Sequence, residues 1–195
     1  MSKDESPEVE ATRRRLTGRR ADTVRRLTGA AVAEVGETGF AGLTVRNVAR
    51  RAGVAPATAY TYFASKDHLI AEVLWRRLAA LPAVAPGGAP RDRVTGVLRE
   101  IALLVSDEPE LAAACAAALL GAGPDVRELR TRIGAAIRER LRAALGEHDS
   151  PNLLGALELA CAGALVHAGM GCASYARMAD RLAETAELIL PAPTG

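Results

Sequence analysis

Residues 43–66, LTVRNVARRAGVAPATAYTYFASK, leave the chain few ways to fold locally. Ala49 is followed four positions later by Gly53 and six further on by Ala59. A small residue where two helices touch, and a glycine where the backbone turns, predict a helix-turn-helix. Thr44 stands where an N-cap would start the first of these helices, expected to end near Ala52. Pro56 suits the first position of the second helix, where its missing N–H costs nothing. Thr58, Tyr60, Thr61 and Tyr62 crowd that second helix with hydroxyls, which a buried helix would rarely carry.

The flanking segments extend the helical pattern. Val24, Leu27, Ala31, Val32 and Val35 recur at helical spacing, so a first helix is expected from Arg19 to about Glu37. Gly36, Gly39 and Gly42 interrupt it, and Phe40 offers an apolar plug for a small core. Ser65 reads as the N-cap of a helix over 66–81 carrying Leu69, Val73, Leu74 and Leu78. PAVAPGGAP at 82–90 is a strong break, and helices are expected near 91–106, 109–121, 125–145, 151–173 and 177–190. No strand-like alternation or internal repeat is visible. Aromatic residues make up 3% of the chain against 49% apolar residues overall, a balance that suits helices better than sheets. The expected fold is all-α, with an N-terminal three-helix head at 19–65 followed by a larger helical bundle at 66–195. Residues 1–18 are expected to form a flexible basic arm, with 1–12 disordered.

Charge separates these regions. Residues 11–66 carry 11 Lys/Arg against 3 Asp/Glu, although the whole chain is only +2. The head therefore suits an anionic partner and the mildly acidic remainder does not. Within Pro56–Tyr62, the hydroxyls of Thr58, Tyr60 and Tyr62 can reach a phosphate backbone, while Ala57 and the Thr61 methyl can meet a thymine methyl. Lys66 adds a cation at the start of the next helix, and Arg13–Arg15 with Arg19 and Arg20 could sweep a phosphate or a minor groove. Tyr60 and Tyr62 could instead cap a local core, and any single arginine could simply solvate a face.

Other chemistries find little support. Cys115, Cys161 and Cys172 lack the spacing of a zinc site or a disulfide framework and are expected to be buried thiols. His68, His148 and His167 are isolated, with no catalytic grouping or phosphate loop beside them, so no metal, cofactor or enzymatic activity is expected. The N-terminus carries no apolar signal run. The apolar stretch Leu153–Ala173 contains Glu158 and His167, which favours a buried or dimerising helix over a membrane span. A soluble, cytoplasmic chain is expected.

The run GFAGLTVRNVARRAGVAPATAYTYFASKDHL, with the helix that precedes it, resembles the DNA-binding domain of TetR-family transcriptional regulators. The likeness covers residues 19–70, and beyond them only length and helix count fit. It implies a homodimer whose two recognition helices enter successive major grooves of a near-palindromic operator. It places Thr44 and Arg46 on phosphate, Pro56, Ala57, Thr58, Tyr60, Thr61 and Tyr62 in the recognition helix, and Lys66 on the backbone. The family often has Ser or Thr as N-cap of that helix, where this chain has Ala55.

The resemblance also implies a repressor released by a small-molecule effector held in the bundle; an architectural DNA-binding dimer without effector is the alternative. A pocket poor in aromatics suits an aliphatic or acyl ligand, and Leu103, Cys115, Leu119, Ile137, Leu159, Met170 and Tyr175 are its candidate lining by position, with core packing as their other possible role. Leu153, Leu157, Ala160, Ala164, Ala168 and Gly171 share one helical face whose small side chains permit close approach. With Leu182, Ala186 and Ile189 of the last helix they form either a dimer interface or an internal core face.

Overall fold

A computed structural model describes residues 7–190 of the chain, with side chains from Gly18 onward. Among the described residues there are nine α-helices and no strand: α1 Pro7–Gly42, α2 Val45–Arg51, α3 Pro56–Tyr62, α4 Lys66–Ala79, α5 Pro90–Leu103, α6 Pro109–Leu119, α7 Pro124–Leu145, α8 Pro151–Gly169 and α9 Tyr175–Ile189. The α1 helix begins at Pro7 rather than Arg19, so residues 7–18 of the expected arm continue it; residues 1–6 lie outside the description. Its regular geometry is interrupted at Gly39, whose φ is 64°. Ser65 and Ser150 cap α4 and α8 by accepting from the backbone N–H groups of His68 and Leu153.

Two apolar cores hold the helices together. The first joins Leu27, Ala31 and Val35 of α1, Val45, Val48 and Ala49 of α2, Ala59 of α3 and Leu69, Ile70 and Val73 of α4. It also takes in Leu111, Ala112, Cys115 and Ala118 of α6. The apolar interior therefore does not stop at residue 66: the head shares its core with α4 and α6. The second core gathers Val94 and Leu98 of α5, Ile133 and Leu141 of α7, Leu154, Leu157 and Cys161 of α8, and Leu182 and Ala186 of α9. The α4 helix threads both, since Leu78 belongs to the second.

Of the two roles open to the α8–α9 face, this packing supports the internal one for its buried residues. Leu157, Ala168, Leu182 and Ala186 are buried within the chain, while Leu153, Ala160, Ala164 and Ile189 pack half-buried beside the second core. Gly171 lies past the end of α8, in a turn with φ 73°, and is not on that face at all. The face is internal because α8 and α9 pack on each other, with α6 and α7 also against α8 and α5 against α9. Close approach is real elsewhere on the helix: a Cβ on Gly169 would fall 2.5 Å from Ala116 Cβ, so glycine lets α8 touch α6 there.

The α8 helix is long and apolar enough, by length and composition alone, to cross a membrane. Its Glu158 pairs with Arg138 of α7, with Oε1 accepting from Nε at 2.7 Å. That ion pair fixes α8 against α7 and gives the carboxylate a partner that hydrocarbon would not.

Candidate nucleic-acid interface

The head is built from its turn outward. Gly53 has φ 62°, a conformation that favours glycine, and a Cβ there would also meet the Arg26 guanidinium at 3.1 Å. Arg26 donates to the carbonyl oxygens of Ala52 and, at 3.1 Å, of Gly53. It thereby ties α1 to the turn and satisfies carbonyls at the end of α2. Ala49 and Ala59 are fully buried where α2 and α3 meet, as the small-residue spacing required.

A second clamp holds α2. Arg51 Nε donates to the buried Glu34 carboxylate at 2.8 Å, and Arg51 Nη1 donates to Glu37 Oε1 at 2.9 Å. The hydrogen bonds from Arg51, and then its charge, hold the Glu37 carboxyl below the usual carboxylate range. The same bonds, Glu37's first and then Glu34's, raise the Arg51 guanidinium further. Neither Arg26 nor Arg51 was singled out from the sequence, because each acts across a long stretch of chain with no local signature.

With the helices fixed, one face of α3 is left in solvent. Pro56, Ala57, Thr58, Tyr60 and Thr61 are exposed, whereas Ala59 and Phe63 are buried. Tyr62 is half-buried and packs on the head core, so its ring anchors α3 rather than projecting from it. Thr61 donates its hydroxyl to the Thr58 carbonyl at 2.6 Å. Ala55 precedes the helix and supplies no side-chain cap, as expected. A Ser or Thr there would contribute about 0.5–2 kcal/mol.

The cations divide into two groups. Arg19, Arg20, Arg46 and Arg50 are exposed, and no Asp or Glu occurs between Glu37 and Asp67. Arg46 and Arg50 lie four apart on α2 and so share a helix face; Arg50, missed in the sequence, could have been found by that spacing. Thr44 is exposed and accepts from Asn47 N–H at 3.1 Å, which leaves its hydroxyl proton able to reach a phosphate. Lys66 is different. Its ammonium donates to the Phe40 carbonyl at 2.7 Å and lies 4.4 Å from the Phe40 ring centroid, joining the end of α1 to the start of α4.

The seven candidate ligand residues are not brought together. Leu103, Leu159 and Met170 are exposed, the latter two at 76% and 72%. Cys115 is buried in the first core with Tyr175 packed against it, and Leu119 and Ile137 flank the second. Burial pushes the Cys115 thiol up to about 12 and the Cys161 thiol up to about 11, so both are inert, whereas Cys172, also expected to be buried, is exposed. One cleft of about 500 Å³ is lined by His148, Ser150, Asn152, Leu153, Ala156 and Ile189. Another of about 220 Å³ lies between α1 and the start of α6, beside Val32, Val35, Glu108 and Leu111. None of the seven lines either cleft.

An exposed, carboxylate-free helix held beyond a turn and flanked by arginines defines a helix-turn-helix DNA-binding protein. Residues 27–73 match the family model for bacterial regulatory proteins of the tetR family. An uncharacterised HTH-type transcriptional regulator of Mycobacterium tuberculosis strain H37Rv is 50% identical over 187 residues, covering 94% of this chain and 87% of that one. The crystal structure of a TetR transcriptional regulator from Rhodococcus sp. RHA1 superposes with a TM-score of 0.72 at 26% identity, covering 88% of this chain and 97% of that one. The transcriptional regulator FadR from Bacillus subtilis, solved with stearoyl-CoA, shares the fold at a TM-score of 0.61 and 15% identity, covering 86% and 99% of the two chains. The chain belongs to the TetR family and is a helix-turn-helix transcriptional regulator.

Proposed function

We propose that the chain is a cytoplasmic repressor that binds a near-palindromic operator as a homodimer and is released by a small hydrophobic effector. The observation that carries the reading is the exposed face of α3, Pro56, Ala57, Thr58, Tyr60 and Thr61, beside exposed Arg46 and Arg50. Arginines on α2 suit phosphates, because the first helix of such a motif crosses the DNA backbone while the second enters the major groove. Arg19 and Arg20 add to the same sequence-independent attraction.

The second copy has a better surface than the one expected from the sequence. On the side of α8 opposite Leu157, residues Leu159, Gly163, Val166 and Met170 recur at helical spacing and are all exposed. Val166 is 50% exposed, and Leu188 of α9 is 88% exposed. A contiguous apolar stripe of this kind is unfavourable in water, and a partner helix would cover it. Two heads in such a dimer would meet half-sites about 34–36 Å apart.

Effector release is supported by the shared core of α1 and α6, since a ligand that moved α6 would move the head. The interior around α6 is Ala, Leu and Cys, which suits an aliphatic chain. FadR shows that a protein of this fold can be solved with an acyl-CoA. The test is an anisotropy titration on duplex DNA from beside the chain's own coding region, with and without long-chain acyl-CoA. Saturable binding that weakens at least tenfold with the ligand is expected. Binding unmoved by acyl-CoA would overturn the acyl effector, and indifference to a wider ligand panel would leave the architectural dimer.

A further inference from the structure

We propose that this head selects its half-sites chiefly through the 5-methyl groups of thymine, met in the major groove by the carbon surfaces of Pro56, Ala57 and Thr61. The proposal rests on the reading of α3 as the DNA-facing helix and specifies what that helix reads. Bidentate recognition of guanine or adenine needs a guanidinium, ammonium or side-chain amide. The α3 sequence, PATAYTY, contains none. The end of a recognition helix that first meets the base edges is its N-terminal one. Here that end is Ala55-Pro56-Ala57, three exposed residues whose side chains are entirely aliphatic carbon.

The hydroxyls add little discrimination. Thr61 has its hydroxyl proton committed to the Thr58 carbonyl at 2.6 Å, which leaves that oxygen as a single acceptor, without a donor to pair with it, beside the methyl group. Thr58 and Tyr60 each offer one group that both donates and accepts, and such a group does not distinguish base pairs as a bidentate pair does. Tyr62 is half-buried on the head core, and the exposed cations of α2, Arg46 and Arg50, sit on the helix that crosses the backbone. Apolar contact is what remains at the groove floor, and thymine is the base that presents a methyl group there.

The experiment uses the full chain and an operator recovered by selection from a random duplex pool. Deoxyuridine replaces thymidine in the half-sites, which removes the methyl and keeps every hydrogen-bonding group. Affinity is expected to fall at least tenfold with an unchanged salt slope. Placing 5-methylcytosine·guanine at the sensitive thymine·adenine pair, which keeps the methyl but changes the polar pattern, should restore more of the binding than cytosine·guanine. Thr61→Ser, which keeps the hydroxyl, should weaken binding to thymine-containing DNA and lose less on uracil-containing DNA. Tight binding within twofold on fully uracil-substituted half-sites would overturn the proposal while leaving the DNA-binding reading intact. Failure to recover any operator would instead overturn that underlying reading, and this proposal with it.

Discussion

The head and the bundle are both helical and apolar inside, yet they constrain their residues in different ways. In the head, a turn of a few residues sets which side of each helix is covered. Gly53 takes a positive φ, Ala49 and Ala59 close the contact, and the remaining side of α3 faces solvent. In the bundle, the α8 helix carries apolar residues on all sides, so burial of one face depends on which partners arrive. The α9 helix covers Leu157 and leaves Leu159 and Val166 exposed, although all three are apolar. A short motif specifies its own surface; a helix that is apolar all round does not.

The largest effect that would sharpen this contrast is on assembly. Val166→Glu with Leu159→Glu should convert a dimer to a monomer by light scattering and lower operator affinity by about 10²–10⁴, the scale lost when a second linked site can no longer engage. A dimer that survives both changes would show that the exposed stripe has another use. On the covered side, Leu157→Ala should cost about 2–5 kcal/mol in urea unfolding, as for other fully buried leucines. A loss below about 0.5 kcal/mol would mean that the face is not packed as described.

In the head, Tyr60→Ala should weaken operator binding about tenfold, or 1.4 kcal/mol, with the dimer and helix content unchanged. Tyr60 is half exposed on the open face of α3, so unchanged affinity would remove it from the DNA surface. The smallest effect concerns pH. Because Arg51 depresses Glu37 in the folded head, their contact contributes stability above the ordinary carboxylate range and loses it as pH falls through the lowered value. Glu37→Gln should therefore flatten part of the acid limb of the melting curve, and an identical limb would show the pair to be idle.

Much of the fold could be read from helical spacing, breakers and caps. Thr44 and Ser65 cap the helices expected of them, and the segments after Pro90 fall close to their expected places. The exposed residues of α3 were legible because Ala49, Gly53 and Ala59 fix that helix locally. Arg26, Arg51 and the Lys66–Phe40 contact were not, since each pairs residues far apart in the chain. The choice between core and surface for the ligand and dimer sets was not legible either, for a related reason. Leu103, Leu159 and Met170 look like interior residues by type, and only the arrival or absence of a neighbouring helix decides otherwise.

The central claim is that the exposed face of α3 makes this chain a sequence-specific DNA-binding dimer. Selection from a random duplex pool, run side by side with the full chain and with its Tyr60→Ala variant, tests it most directly. The full chain should enrich two inverted half-sites whose centres lie about one helical turn, 34–36 Å, or a multiple of it apart, and the variant should enrich them less. A pool that stays random with the full chain would contradict the claim.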